Sequence, residues 1–349
     1  MTRLTYLLVA ALLLVACSGE TTMDTPADPI DTGTGSDLLP DFLEDLAPDL
    51  YVAPPKDTEQ PADSDTPDTI DAVDTSPPPC PSWAPANTTG ALQNLDLLEL
   101  SGLVASRTYP GVFWAHNDSG DVPRLFALDV SGADLGVVDI DDADALDWED
   151  LGLGPCPDAA GDCFYIGDIG DNPRNRTHVT VYIAAEPEPG PDGRWTGSEG
   201  GTASAQAIQF TYPGGPLDAE ALFVDPDSGD VYIVEKTVDG ASAIYRAAAP
   251  FTEGDPRELT PVGETTLGIV TGADISADGS LILIRNYFAA AGYRRPINTP
   301  LADAFSGIPC EAPLGMELQG ESIAFTGEGD DYLTISEGLQ APIHRFATE

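Results

Sequence analysis

Five times along the chain a carboxylate stands at or near the head of a short apolar run: ELSGLVAS from Glu99, DWEDLGLG from Asp147, DAEALFVD from Asp218, TGADISAD from Thr271 and GESIAFTG from Gly320. With these runs laid over one another, the acids in register are Glu99, Glu149, Glu220, Asp274 and Glu321. Once a fold gathers them, carboxylates about 6 Å apart at an effective dielectric near 20 repel by roughly 3 kcal/mol per pair. Such a set takes up protons or a cation. An oxygen-only ligand set of irregular number suits calcium, so these five are the expected metal ligands. Zinc fits poorly, because His116, His178 and His344 stand apart without partner spacing.

The elements that must position the acids lie directly downstream of each run. A turn and a second apolar segment come next: VFWAHND, CFYIGDIGD, DVYIVEK, SLILIRN and DYLTISEG. In an antiparallel hairpin the start of the first strand lies beside the end of the second. A second ring of polar side chains therefore surrounds the acids, with Asn117, Asp118, Asp168, Lys236, Arg285 and Glu337 as expected ligand-binding residues. Third strands follow (RLFALD, VTVYIAA, AIYRAAA), and fourth strands in two units (ADLGVVDI, AQAIQFTY). Acid-to-acid spacings of 47 to 71 residues match a β-propeller with four-stranded blades.

Five units give an all-β, five-bladed propeller; a six-bladed ring is the alternative if the gap from 149 to 220 hides a degenerate unit. The last unit ends after its third strand, IHRFATE, and the segment ALQNLDLL at 91–98 can supply the missing one. The cluster YFAAAGYRR at 287–295 reads as a loop insertion.

The phrases LSGLVAS…WAHNDSG, DWEDL…YIGDIGDN, DAEALFVDP and GESIAF resemble an uncharacterised family of secreted bacterial β-propeller lipoproteins, with a more distant similarity to phytase-like and esterase-like propellers. The resemblance spans residues 92–349 and implies fold and secretion. It carries no chemistry with it.

Ahead of this domain the chain is of two other kinds. Residues 1–17, MTRLTYLLVAALLLVAC, have one basic residue and an apolar core too short to span a bilayer stably. They resemble a bacterial lipoprotein signal, which implies acylation of Cys17 and a lipid-anchored place in the bacterial cell envelope; Ser18 after it points to the outer membrane. Residues 18–79 hold 16 Asp or Glu against Lys56 alone, with many Pro, Thr and Ser. This composition cannot bury enough apolar surface to offset its ordering entropy, so it reads as a disordered acidic linker before the domain at 80–349.

The net charge is −45, and residues 80–349 carry 12 Lys or Arg against 43 Asp or Glu. Nucleic acid and anionic membrane surfaces are poor partners for such a chain. Contact with the membrane is expected through the lipid anchor only, and the protein as a monomer. Beyond Cys17 there are four cysteines. Their positions pair Cys156 with Cys163 inside one hairpin loop and Cys80 with Cys310 across the ends of the domain, although four cysteines allow three connectivities.

Familiar catalytic signatures are absent: there is no GxSxG, GxxxxGK[ST], HExxH or CxxC. The favoured reading is a tethered propeller that binds a ligand, whether small molecule, carbohydrate or protein, at a calcium-holding axial site. Two alternatives stand beside it. A hydrolase would use Glu149, Glu220 or Asp168, either as a glycosidase-like carboxylate pair or as a calcium-assisted phosphoesterase with Lys236 and Arg285 on the phosphate. A protein-interaction scaffold would need no axial chemistry at all. The inner-strand acids can also serve structure by accepting backbone amides from the neighbouring blade.

Overall fold

The computed structural model describes residues 76–195, 202–238, 240–327 and 329–349. Cys17 and the linker up to residue 75 lie outside them. The domain is built from strands in chain order, because short runs rich in Val, Ile, Leu, Phe and Tyr alternate with Gly, Asp and Pro turns. β1 (Asn87–Ala91) comes first. The first unit is then β2 (Leu100–Ala105), β3 (Val112–Asn117), β4 (Arg124–Asp129) and β5 (Asp134–Asp141). The second is β6 (Trp148–Pro155), β7 (Asp162–Asp168), β8 (Val179–Ala185) and β9 (Thr202–Thr211). The third is β10 (Ala219–Val224), β11 (Val231–Glu235), β12 (Ser242–Ala247) and β14 (Thr260–Thr265), with the short β13 (Arg257–Glu258) pairing parallel to β9. The fourth is β15 (Val270–Ile275), β16 (Leu281–Asn286), β17 (Ala290–Arg294) and β18 (Cys310–Ala312). The fifth is β19 (Gly320–Phe325), β20 (Tyr332–Ser336) and β21 (Pro342–Phe346), completed by β1.

Each unit is an antiparallel meander. The first strands pack side by side in a closed cycle, β2 on β6, β6 on β10, β10 on β15, β15 on β19 and β19 back on β2. An apolar cluster fills the space between each neighbouring pair of units. In β16, for example, Ile282 and Ile284 face unit three while Leu281 and Leu283 face unit five. That two-residue alternation with both faces buried is why the strands read as continuous apolar runs. The fold is thus a β-propeller of four-stranded sheets. Among the described residues no sixth sheet occupies the interval from 149 to 220, which β6 to β9 fill.

Two expectations about strands are corrected. The closing strand is Asn87–Ala91, pairing with β21 from Asn87↔Arg345 to Ala91↔Pro342, while most of ALQNLDLL crosses one end of the propeller toward β2. The segment read as a loop insertion contains β17, and it packs closely: a Cβ at Gly292 would sit 3.2 Å from Leu281 Cδ1 and 3.3 Å from Leu283 Cδ2. Both disulfides form as their positions suggested, Cys80 with Cys310 and Cys156 with Cys163. Among the described residues no helix is long and apolar enough to cross a membrane.

Candidate functional site

The five inner strands share one irregularity. Near its start each carries an extra residue relative to its partner strand, so that pairing jumps from Trp148↔Asp168 to Asp150↔Gly167 in β6, from Ala219↔Glu235 to Ala221↔Val234 in β10, and from Gly320↔Ser336 to Ser322↔Ile335 in β19. The residues left over are Glu149, Glu220 and Glu321. In β15 the equivalent residue is Thr271, and in β2 the interruption falls at Ser101 and Gly102. A bulge re-aims the side chain of its extra residue. Here that happens five times at one end of the axis.

The structural register therefore differs from the register of acids. Glu149, Glu220 and Glu321 are equivalent, whereas Glu99 precedes β2 on the exposed surface and Asp274 lies three residues beyond Thr271. The two hydroxyls in the bulge layer join neighbouring sheets: Ser101 Oγ donates to Glu149 O, and Thr271 Oγ1 donates to Gly320 O at 3.0 Å. Asp274 serves structure too, accepting from Ile275 N at 2.8 Å and Phe325 N at 2.8 Å.

One layer below the bulges stand Gly102, Asp150, Ala221, Gly272 and Ser322. A Cβ at Gly102 would lie 2.3 Å from His116 Nε2, and one at Gly272 would lie 2.3 Å from Glu321 O, so space near the axis is scarce. Asp150 uses it. Its carboxylate accepts from Leu151 N (2.8 Å), from Leu222 N on β10 (2.9 Å) and from Ala273 N on β15 (3.0 Å). A single side chain thus ties three sheets together across the axis.

The three bulge glutamates have unequal partners. Glu220 is bonded by Lys236 Nζ at 2.5 Å, and Glu321 accepts from Tyr287 Oη at 3.0 Å. Glu149, only 2% exposed, has no donor on its carboxylate among the described residues. Instead its oxygen lies with those of Asp118 and Asp147, all within 4.8 Å of one another. The backbone at Gly170 walls this cluster: a Cβ there would meet Glu149 Oε1 at 2.2 Å and Asp147 Oδ2 at 2.5 Å.

Burial, then the crowd of like charges, raises the carboxyls. Asp147 is pushed up to about 6, by burial and by Asp118 and Asp218. Glu149 is pushed well above its ordinary range by burial, then by Glu220, Asp118 and Asp147. Glu220 rises to about 7 through burial in spite of Lys236, and Glu321 to about 7 through burial and Glu337. Glu337 also reaches about 7, through burial and then Asp118 and Glu99. Charge at this mouth exceeds what Lys236 balances. The half-buried Asp118, Asp147, Lys236, Tyr287 and Glu337 leave it open to solvent.

Several expected ligand-binding residues are held for other work. Arg285 is fully buried, paired with Glu317 at 2.7 Å and donating to Ser322 O at 3.0 Å, so it fastens unit four to unit five. Asn117 accepts from Leu98 N and Glu99 N and donates to Asp96 O and Asp121 Oδ2, which fixes the approach to β2. Asp168 is buried, paired with Arg176 at 2.7 Å, and accepts from Leu146 N and Asp147 N. It orients the loop that carries Asp147. Asp118, Lys236 and Glu337 do reach the mouth. Two members of the mouth escape the sequence reading: Asp147, although it stands two residues ahead of Glu149 in the same DWED phrase, and Tyr287, at the head of the segment that reads as a loop.

No family model matches the chain, and none of the curated proteins does. Among solved structures it is similar to one titled as the crystal structure of a nidogen/laminin complex, at 14% identity and a TM-score of 0.42, covering 70% of this chain and 74% of that one. Another is the crystal structure of Chaetomium thermophilum Raptor, at 11% identity and a TM-score of 0.40, covering 77% of this chain and 30% of that one.

Proposed function

We propose that the protein is a lipid-anchored envelope propeller that binds a ligand at the axial mouth, with calcium held by Asp118, Asp147 and Glu149. The observation that carries this reading is the buried Glu149, whose carboxylate accepts no hydrogen bond among the described residues, beside two further carboxylates that Lys236 does not balance. An unpaired buried charge is too costly to stand alone and takes a proton or a cation. Three carboxylates with solvent access on one side suit a hard ion that completes its shell with water or ligand oxygens. Glu220, Lys236, Tyr287, Glu321 and Glu337 then form the polar floor on which a ligand rests. Exposed apolar side chains flank it in the chain: Leu146, Val238, Phe288 and Leu339 each lie within two residues of Asp147, Lys236, Tyr287 or Glu337. They come from units two to five, which favours a broad binding face over a deep catalytic cleft. A recess of about 230 Å³ adjoins the loop at 170–176 beside the mouth, and recesses of about 430 and 490 Å³ lie elsewhere on the surface.

Melting curves of the whole chain with calcium and with chelator test the ion. At calcium 100 times its dissociation constant the stability gain is about 2.7 kcal/mol, or roughly 5 to 11 °C for a domain of this size. Glu149→Gln abolishes the response, and a melting curve indifferent to calcium and chelator sinks the ion. For the anchor, Cys17→Ala should release the protein from membranes; retention after alkaline washing rejects acylation.

A hydrolase remains the second reading because Glu220 and Glu321, near 7, can each hold a proton at neutral pH. Turnover of chromogenic glycosides or phosphate esters that disappears in Glu220→Gln would favour it over binding alone.

A further inference from the structure

The connection from β18 to β19, residues 313–319, crosses the flank of unit five and is clamped along its length. Pro313 O accepts from Tyr332 Oη. Gly315 lies against His344, where a Cβ would come within 2.4 Å of the imidazole Cδ2. Glu317 is buried between Arg285, at 2.7 Å, and Thr334 Oγ1. With Glu317 drawn inward its neighbours face out, and Met316 and Leu318 are each 97% exposed. Backbone hydrogen bonds join this connection to the turn after β20, and that turn to the approach to β2: Glu337 N donates to Gln319 O at 2.9 Å, and Gly338 N to Leu98 O at 2.9 Å. Leu339, 62% exposed, and Leu98, 44% exposed, stand on those two segments. Large apolar side chains held in the open beside polar groups mark an interaction surface. Backbone fixed beforehand also loses little freedom when a partner settles on it.

We propose that this surface docks a basic amphipathic polypeptide segment, whose apolar stripe covers Met316, Leu318, Leu339 and Leu98 and whose Lys or Arg side chains meet Glu337 and Glu99. Exposure decides the size of the partner. Side chains that stand almost wholly clear enclose nothing, so a small molecule finds no concave site on them, whereas a polypeptide can span all three backbone segments. Charge decides its sign. Glu337 sits among like charges, with Asp118 and Glu99 both acting on it, and residues 80–349 carry 12 Lys or Arg against 43 Asp or Glu. A cationic partner is drawn in and oriented by this field, while an acidic one, a second copy of this chain included, is repelled. The flexible thioether of Met316 adapts to the shape of what covers it. This partner belongs to the binding face proposed above and requires no ion there.

Fluorescence anisotropy of a labelled, helix-forming peptide of leucine and lysine, titrated with the full chain, tests the assignment. Two matched peptides stand beside it, one with glutamate in place of lysine and one with serine in place of leucine. The leucine–lysine peptide should bind saturably, one copy per chain, and the matched peptides at least about tenfold more weakly. Met316→Ser and Leu318→Ser should each weaken it by about tenfold, at an unchanged melting temperature because both side chains are exposed. Glu337→Gln should weaken it several-fold and lessen its salt dependence. Ile308→Ser removes an exposed side chain ahead of β18, at the end of unit four away from the mouth, and should change nothing. A wild-type chain that binds the peptide but whose melting curve ignores calcium keeps the partner and rejects the ion; one that responds to calcium but not to the peptide does the reverse. Wild-type affinity in both Met316→Ser and Leu318→Ser, an equal loss in Ile308→Ser, or equal binding of the glutamate peptide overturns the proposal. Self-association of the chain that Leu318→Ser abolishes would assign the surface to a second copy and overturn it as well.

Discussion

Glu149 and Asp150 are neighbours on β6, both 2% exposed and both raised well above the usual carboxyl range, yet they do opposite work. Asp150 accepts three backbone amides from three strands, so its burial is compensated by bonds that only a closed ring can supply. Glu149, aimed the other way by the bulge, accepts no hydrogen bond among the described residues and lies among carboxylates that outnumber the nearby Lys236. One acid ties three strands together, and the other crowds against like charges without a donor. Burial alone therefore does not distinguish the two acids; the count of donors around each does.

The largest expected effect breaks the structural member of the pair. Asp150→Ala leaves amides on β6, β10 and β15 without an acceptor, at about 1–3 kcal/mol each. A total of about 3–5 kcal/mol should lower the melting temperature by on the order of 10 °C. A melting curve unchanged by Asp150→Ala would show that the three bonds contribute nothing net.

A middle-sized effect sharpens the contrast through pH. Asp147 titrates near 6 and Glu220, Glu321 and Glu337 near 7, all above the range of about 4 expected in the unfolded chain. The folded state then binds more protons than the unfolded one between those values. Their contribution to stability is fully present below the unfolded values and is lost as pH rises through 6 to 7. In chelator the melting temperature should fall between about pH 5 and 7.5, and calcium should flatten that fall because it favours the ionised carboxylates. A melting temperature that rises over the same interval contradicts the crowded mouth.

The smallest effect belongs to Glu149→Gln in chelator. Relief of like-charge repulsion should raise stability by about 1 kcal/mol or less, the reverse sign of Asp150→Ala. A loss comparable to that of Asp150→Ala would assign Glu149 a structural bond as well.

The fold was legible because sheets buried on both faces leave uninterrupted apolar runs, and because acid-led repeats at 47 to 71 residues match the length of one four-stranded blade with its turns. The site was legible in part. Aligning on acids placed Glu149, Glu220 and Glu321 correctly but forced Glu99 and Asp274 into a layer whose true members are Ser101 and Thr271. Aligning instead on Leu103, Leu151, Leu222, Ala273 and Ile323, each two residues past the re-aimed side chain, recovers the layer. The signal lay in the packing residue, which every blade needs, and not in the polar one, which each blade spends differently. Arg285 misled for a related reason: its position at a strand end resembles that of Lys236, but only the folded structure reveals Glu317 arriving from the connection ahead of β19 to bury it.

The pairing of β1 with β21 sets an order on events during synthesis. Asn87 finds Arg345 only after every strand from β2 to β20 has been made. Four sheets have all their strands earlier, but the fifth lacks its outer pair until β21 is made. A chain that stops short keeps β1 unpaired and presents an open sheet edge, the feature by which unfinished β proteins associate wrongly. Joining β1 to β21 thus makes the fifth sheet depend on the first and the last of the described strands together.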